Sequence, residues 1–207
     1  MTTHAKFVAT DYNKDNNSNS KIKDDLEDYA SYTKKHWANN IEDGSDEYKM
    51  YEYADIYYSI QADSDPYGEP DTIKEALVNC RDYISNHTRL FDYYDCVIVD
   101  DDRNFDPHGI AYIGTAGGTS AVGYIDSSGD NYAAAHELGH VYNGDHGDDS
   151  DDRSTFESTE FHRSILGCYG CVDCNDSTSY TSRGDWYADC TVDAVRSYID
   201  NNEMTRG

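Results

Sequence analysis

No run of about 18 apolar residues occurs in the sequence, the length a helix needs to cross a bilayer, so no membrane span is expected. Basic charge is scarce: 16 lysines and arginines stand against 41 aspartates and glutamates, a formal net charge of -25 over 207 residues. A field of that sign repels phosphate backbones and makes nucleic acid an improbable partner. The opening residues, Met1-Thr2-Thr3-His4-Ala5-Lys6-Phe7, carry no apolar stretch of the signal-peptide kind. They read as a mature or engineered start, or as the start of a protein that is not exported. No internal repeat is visible. No acidic run has the EF-hand spacing with its central glycine and terminal glutamate.

Self-repulsion on this scale destabilises a compact fold in dilute buffer, but 1 M salt shortens the Debye length to about 3 Å and removes most of it. An Asp-rich, Lys-poor surface therefore suggests a protein from a halophile. Calcium sites are the competing explanation of the same charge, with Asp100-Asp101-Asp102 and Asp148-Asp149-Ser150-Asp151-Asp152 as the candidate ligand runs. Disorder is disfavoured by 20 tyrosines set among periodic apolar segments, because aromatic side chains supply core area. A chain of this length buries one sizeable core, so a single domain over 1–207 is expected, and a monomer.

Periodicity predicts an α/β (α+β) chain. Ala5 to Thr10 reads as a strand, Asn13 to Lys21 as a flexible loop, and Asp24 to Trp37 as a helix. Met50 to Ile60, rich in tyrosine and β-branched residues, reads as a strand. Pro66, Gly68 and Pro70 mark a loop. Asp71-Thr72 caps a helix running to about His87, with Ile73, Leu77, Cys80 and Ile84 inward. Cys96 to Val99 is a short apolar run suited to a buried central strand. Gly109 to Gly114 and Val122 to Ile125 are further strands, and helices follow from about Asn131 to Tyr142 and from Thr191 to Glu203, the last with Val192, Val195 and Ile199 inward. That order implies an upper α/β part, about 1–146, over a smaller irregular part, about 147–207.

Six cysteines, Cys80, Cys96, Cys168, Cys171, Cys174 and Cys190, form an even set. Three disulfides in an exported protein are one reading, with Cys80 and Cys96 able to staple adjacent layers. A second zinc held by Cys168, Cys171, Cys174 and Cys190 is the other.

The densest chemistry lies in His136-Glu137-Leu138-Gly139-His140-Val141-Tyr142-Asn143-Gly144-Asp145-His146. Two histidines at i and i+4 on a helix are about 40° apart around the axis and about 6 Å apart along it, so both rings reach one metal ion. Glu137 projects beside them, placed to take a proton from water at that metal. His146 adds a third nitrogen and leaves one tetrahedral position open. A continuous helix would carry His146 about 9 Å further along and about 120° around, out of reach. Asn143-Gly144 supplies the necessary break, since these two residue types enter the left-handed region most readily. A thermolysin-like arrangement, with Glu157 or Glu160 as third ligand, needs a second helix that the Asp-rich turn after Gly144 opposes. His4, His36, His87, His108 and His162 are scattered and read as surface or packing residues.

Two passages make the chain resemble the metzincin clan of zinc peptidases, and within it the adamalysin/reprolysin family. One is His136-Glu137-Leu138-Gly139-His140 with His146 at the metzincin distance. The other is Asp95-Cys96-Val97-Ile98-Val99 with Gly109-Ile110-Ala111-Tyr112-Ile113-Gly114-Thr115-Ala116, similar to the strands preceding the zinc helix in that family. The resemblance implies a twisted mixed sheet, a cleft below its edge strand, and peptide hydrolysis with Zn2+ held by His136, His140 and His146 and Glu137 as general base. It also implies that the backbone of Ile110, Ala111, Tyr112, Ile113 and Gly114 binds an extended peptide or protein substrate. Tyr169 is a candidate extra oxyanion donor. The sequence departs from the family in two places. Asn143 stands where the family has glycine, and no methionine turn is evident, with Leu166 in Ser164-Ile165-Leu166 as its stand-in. A non-catalytic zinc-bearing adhesion module and an intracellular archaemetzincin-like peptidase are the alternatives.

The charge reading makes one prediction of its own. The melting temperature should rise as sodium chloride goes from about 0.05 M to about 1 M, because screening relieves the native state most. A flat or falling curve in thermal unfolding would contradict it.

Overall fold

The computed structural model describes residues 2–44, 48–63, 66–105, 107–126, 131–144, 162–163, 182–183, 189–202 and 204. The first half runs β1 (Thr3–Thr10), α1 (Asp11–Asn16), α2 (Asn19–Asn40), β2 (Met50–Ile60), α3 (Ile73–His87) and α4 (Leu90–Tyr93). The second half runs β3 (Cys96–Asp101), β4 (Gly109–Ala111), β5 (Val122–Asp126), α5 (Asn131–Val141), β6 (His162–Arg163), β7 (Ser182–Arg183) and α6 (Asp189–Asn201). Five strands form one sheet in the order β2-β1-β3-β5-β4. The first four are parallel and β4 is antiparallel to β5, so the sheet is mixed and the chain is α/β, as expected. The two short strands β6 and β7 pair in parallel separately.

Central strands of such a sheet are covered on both faces and so read as unbroken apolar runs. All six residues of β3 are buried, as are Phe7, Val8 and Ala9 of β1. The two faces separate by parity. Ile98 and Gly123 are partners across β3 and β5, and the Gly123 Cα lies against Glu137, so this face carries α5. α2 packs on α5 through Tyr32 against Tyr132 and Trp37 against Tyr142, with ring centroids 5.2 and 5.0 Å apart. Val99, Asp101 and Tyr124 point the other way, towards Cys80 on α3. The amphipathic reading of α3 holds, with Ile73, Ala76, Leu77, Cys80 and Ile84 buried and the Thr72 side chain accepting from the Glu75 N–H.

The segment expected to be a flexible loop, Asn13 to Lys21, is instead mostly helical. Its polar residues are caps: Thr10 Oγ1 accepts from the Asn13 N–H at the start of α1, and Ser18 Oγ accepts from the Lys21 N–H at the start of α2. Asn13 is fully buried, and its amide donates to Asp100 at 2.7 Å. At the other end of the chain, α6 turns Val192, Val195 and Ile199 inward, and Tyr198 donates to the Ala116 carbonyl at 3.0 Å. Buried cations are shared among acids. Arg103 bridges Asp101 at 2.8 Å and Asp63 at 2.9 Å and lies 4.0 Å from the centre of the Tyr12 ring.

The staple expected between Cys80 and Cys96 is not formed, and both are buried free thiols. The reason is the sheet itself. Cys80 lies on the α3 face near Asp101, whereas Cys96 has the parity of Ile98 and faces α5 and Tyr142. A disulfide needs its Cβ atoms about 3.5–4.5 Å apart, which a strand layer between them forbids. Burial pushes both thiols well above the ordinary range, so neither is a nucleophile or a ready metal ligand. Cys168, Cys171 and Cys174 lie outside the described residues, as does the side chain of Cys190. Alkylation of the denatured, unreduced protein should label the peptides containing Cys80 and Cys96 fully, and a mass corresponding to the two peptides joined would refute the assignment.

Candidate metal centre

The alanines of Tyr132-Ala133-Ala134-Ala135 let α5 lie close on the sheet, and every residue from Ala134 to Val141 is buried. Three of those buried residues are polar. His136 is 8% exposed, Glu137 4% and His140 6%. Burying an imidazole or a carboxylate is costly unless a specific partner compensates, so three on one helix mark a site.

The two rings converge. His136 Nε2 and His140 Nε2 are 3.0 Å apart, with the ring planes at 81°. A tetrahedral ion with Zn–N bonds of about 2.0–2.1 Å holds its nitrogens about 3.3 Å apart, close to that separation. The protonation state fits as well. His140 Nδ1 is 2.7 Å from the Gly144 carbonyl oxygen. A carbonyl only accepts, so Nδ1 carries the proton and a neutral ring keeps its lone pair on Nε2. Carbonyl-oriented histidines of this kind are the usual second layer of a metal site. The donors present therefore fit Zn2+.

The helix break expected at Asn143-Gly144 is present. Asn143 has φ 73°, in the left-handed region. Its N–H donates to the His140 carbonyl at 2.9 Å, and the Gly144 N–H reaches back to Gly139 at 2.9 Å. These are the two bonds of a Schellman cap. The cap turns the Gly144 carbonyl back over the helix, where it meets His140. His146 lies outside the described residues, as do Leu166, Tyr169, Glu157, Glu160 and Asp148 to Asp152. Among the described residues no group of three potential metal ligands comes together.

The strand predicted over Gly109 to Gly114 is shorter, ending at Ala111. The Asp126 N–H donates to the His108 carbonyl at 2.9 Å, and Tyr112 approaches Val122 at 3.4 Å. Antiparallel pairs alternate between bonded and non-bonded. Ile110 is therefore bonded inward to its partner Tyr124, while the backbone groups of Gly109 and Ala111 face the free edge. Of the residues expected to pair with a substrate, Ile110 and Tyr112 have backbone groups turned to β5, and Ala111 has them turned to the edge. The Gly114 N–H donates to the His140 carbonyl at 3.0 Å and so is engaged within the protein. Ile113, half-exposed, lies beyond the strand.

Sequence reasoning missed two glycines. A Cβ on Gly109 would lie 2.5 Å from Glu137 Oε1, and one on Gly123 would lie 3.1 Å from Glu137 Cβ. Glycines in strands at places of close approach are the signal that was available. The remaining described histidines are packing or surface residues, as expected. His4 stacks on Tyr51 and Tyr53, His36 and His87 contact Tyr32 and Tyr83, and His108 is exposed near Asp126. Asp100 and Asp101, offered above as calcium ligands, are fully buried and engage Asn13 and Arg103.

The sequence matches no family model and no curated protein. Among solved structures, the chain is similar to one in a structure described as that of a chaperone–substrate complex, with a TM-score of 0.60 and 19% identity over 98% of its length. The chain spans 34% of the length of that neighbour. At this identity the likeness speaks for the fold alone. Among the described residues no helix is long and apolar enough to cross a membrane.

The helix cap is open to a direct test. Asn143→Ala should cost about 1–2 kcal/mol, since a residue with a Cβ and no local hydrogen bond is held at positive φ. Asn143→Gly should retain wild-type stability. Urea unfolding in the presence of a chelator separates this backbone effect from metal binding, and equal stability of the two variants would argue against the cap.

Proposed function

We propose that the chain is a zinc-dependent endopeptidase of the metzincin type, acting on extended polypeptides. One observation carries the proposal: two buried imidazole Nε2 atoms 3.0 Å apart, one of them oriented through Nδ1 by a backbone carbonyl, next to a buried glutamate on the same helix. His136 and His140 would hold the ion, with His146 of the sequence motif as third ligand. When bound, zinc brings the pKa of water to about 7 and offsets negative charge growing on a carbonyl oxygen.

Everything else falls to the protein's own groups. Glu137 accepts the proton of the attacking water and delivers it to the departing amine nitrogen. The Gly144 carbonyl keeps the His140 ring in one tautomer and one orientation. The outward N–H and C=O groups of Gly109 and Ala111 pair with an extended substrate, which aligns it without selecting a sequence. The low exposure of the helix keeps bulk water from competing for these groups.

Purified wild-type protein should bind zinc through His136 and His140 and cleave unfolded casein, and a chelator should abolish the cleavage reversibly. Glu137→Ala should bind zinc normally while kcat falls about 10²–10⁴-fold. His140→Ala should lose the metal. Zinc-loaded wild type that cleaves nothing in high or low salt would end the peptidase reading in favour of a binding module.

A further inference from the structure

We infer that Gly109 is a positioning residue that seats the Glu137 carboxylate against β4, an inference that rests on the peptidase reading of the site. The three atoms nearest to a Cβ built on Gly109 all belong to Glu137: Oε1 at 2.5 Å, Cδ at 3.1 Å and Cγ at 3.1 Å. The backbone does not require glycine here, because Gly109 is absent from the residues with positive φ, unlike Gly114 and Gly117. The missing side chain is therefore explained by Glu137 alone.

Gly123 extends the seat. Gly109 and Gly123 occupy the same face of neighbouring strands, in adjacent same-face positions of the β4–β5 register. The Glu137 Cβ stands over Gly123, and its carboxylate stands over Gly109. Together the two glycines form a bare trough along which the glutamate lies, and the trough fixes the direction of the side chain. The floor of the trough is strand backbone, held by the Asp126 N–H to His108 bond at one end. A loop would leave the carboxylate to wander, whereas a strand holds it within the tolerance that proton transfer demands. The same residue, Gly109, also turns its peptide groups to the free edge. Proton acceptor and substrate backbone are thus indexed to a single residue, which couples their positions.

Gly109→Ala tests this cleanly, because the atom a Cβ would strike is the far end of a flexible side chain and the fold can survive. Gly123→Ala would not serve, since its Cβ would also meet Ile98 at 2.8 Å in the core. In Gly109→Ala, zinc stoichiometry and affinity should stay at wild-type values while kcat falls about tenfold to a hundredfold with KM little changed. Adding Gly109→Ala to Glu137→Ala should cost nothing further, since the group it displaces is gone. An additional loss in that background, a loss of zinc, or an unchanged kcat in the single variant overturns the inference. A crystal structure of metal-free Gly109→Ala gives a readout independent of activity. Displacement of the Glu137 carboxylate supports the seat, and an unmoved carboxylate with β4 shifted overturns it. If zinc-loaded wild type cleaves nothing, the peptidase reading fails, and the crystal structure still decides whether Gly109 seats Glu137.

Discussion

The last carbonyls of α5 are the point from which the site is held. A helix ends with four acceptors that have no partner of their own, and burial leaves no water to satisfy them. Here three of them are met from two directions. Gly139 and His140 receive the N–H groups of Gly144 and Asn143 from the chain that follows the helix. His140 also receives Gly114, and Val141 receives Thr115 and Ala116, from the connection between β4 and β5. The Ala116 carbonyl in turn accepts from Tyr198 of α6. The β4–β5 connection and the helix are therefore joined through backbone bonds, and the Tyr198 hydroxyl ties the C-terminal helix to the same set.

Close packing explains why the polar residues of α5 can be buried at all. Alanine and glycine along the contact bring helix and sheet together, so that a glutamate stem fits between them only where β4 and β5 lack a Cβ. The cost of desolvating His136, Glu137 and His140 is substantial, and hydrophobic burial around them has to offset it. Leu138 and Tyr142 on the same segment, with Trp37 and Ile98 from the elements packed on it, supply such burial, all of them essentially without exposure. Stability and the proposed chemistry draw on the same helix, which is common where an active group must be both dry and immobile.

The strands, the two long helices and the fate of α5 were legible because their signals are local. A run such as Cys96 to Val99 states burial on two faces, and the i, i+4 pair of histidines states a shared direction. The Asn143 turn was legible for the same reason, since only a few residue types accept its φ. What escaped was whatever depends on contacts between distant segments. The polar stretch after Thr10 looked like a loop, because nothing local shows that Asn13 meets Asp100 in the core. Cys80 and Cys96 looked like a pair, because spacing does not reveal that a sheet lies between them. Gly109 looked like the first residue of a strand, and its relation to Glu137, 28 positions away, needed the fold.

The short length of β4 follows from the same hydrogen bonds that orient His140. Gly114, Thr115 and Ala116 cannot extend an edge strand and cap α5 at once, since each has one N–H and α5 takes all three. The chain leaves the sheet after Ala111 and turns at Gly114, whose φ of 62° glycine adopts most readily, and a Cβ there would meet the Asn143 side chain. A longer edge would offer a peptide more backbone partners, but it would leave the buried carbonyls of His140 and Val141 with fewer donors. Unmet buried acceptors cost more than an extra pairing at a solvated edge returns. The free edge of β4 is therefore short, with Gly109, which lies against the glutamate, and Ala111 turning their backbone groups outward. On the proposed reading, that short edge places the paired part of a substrate beside the proton acceptor.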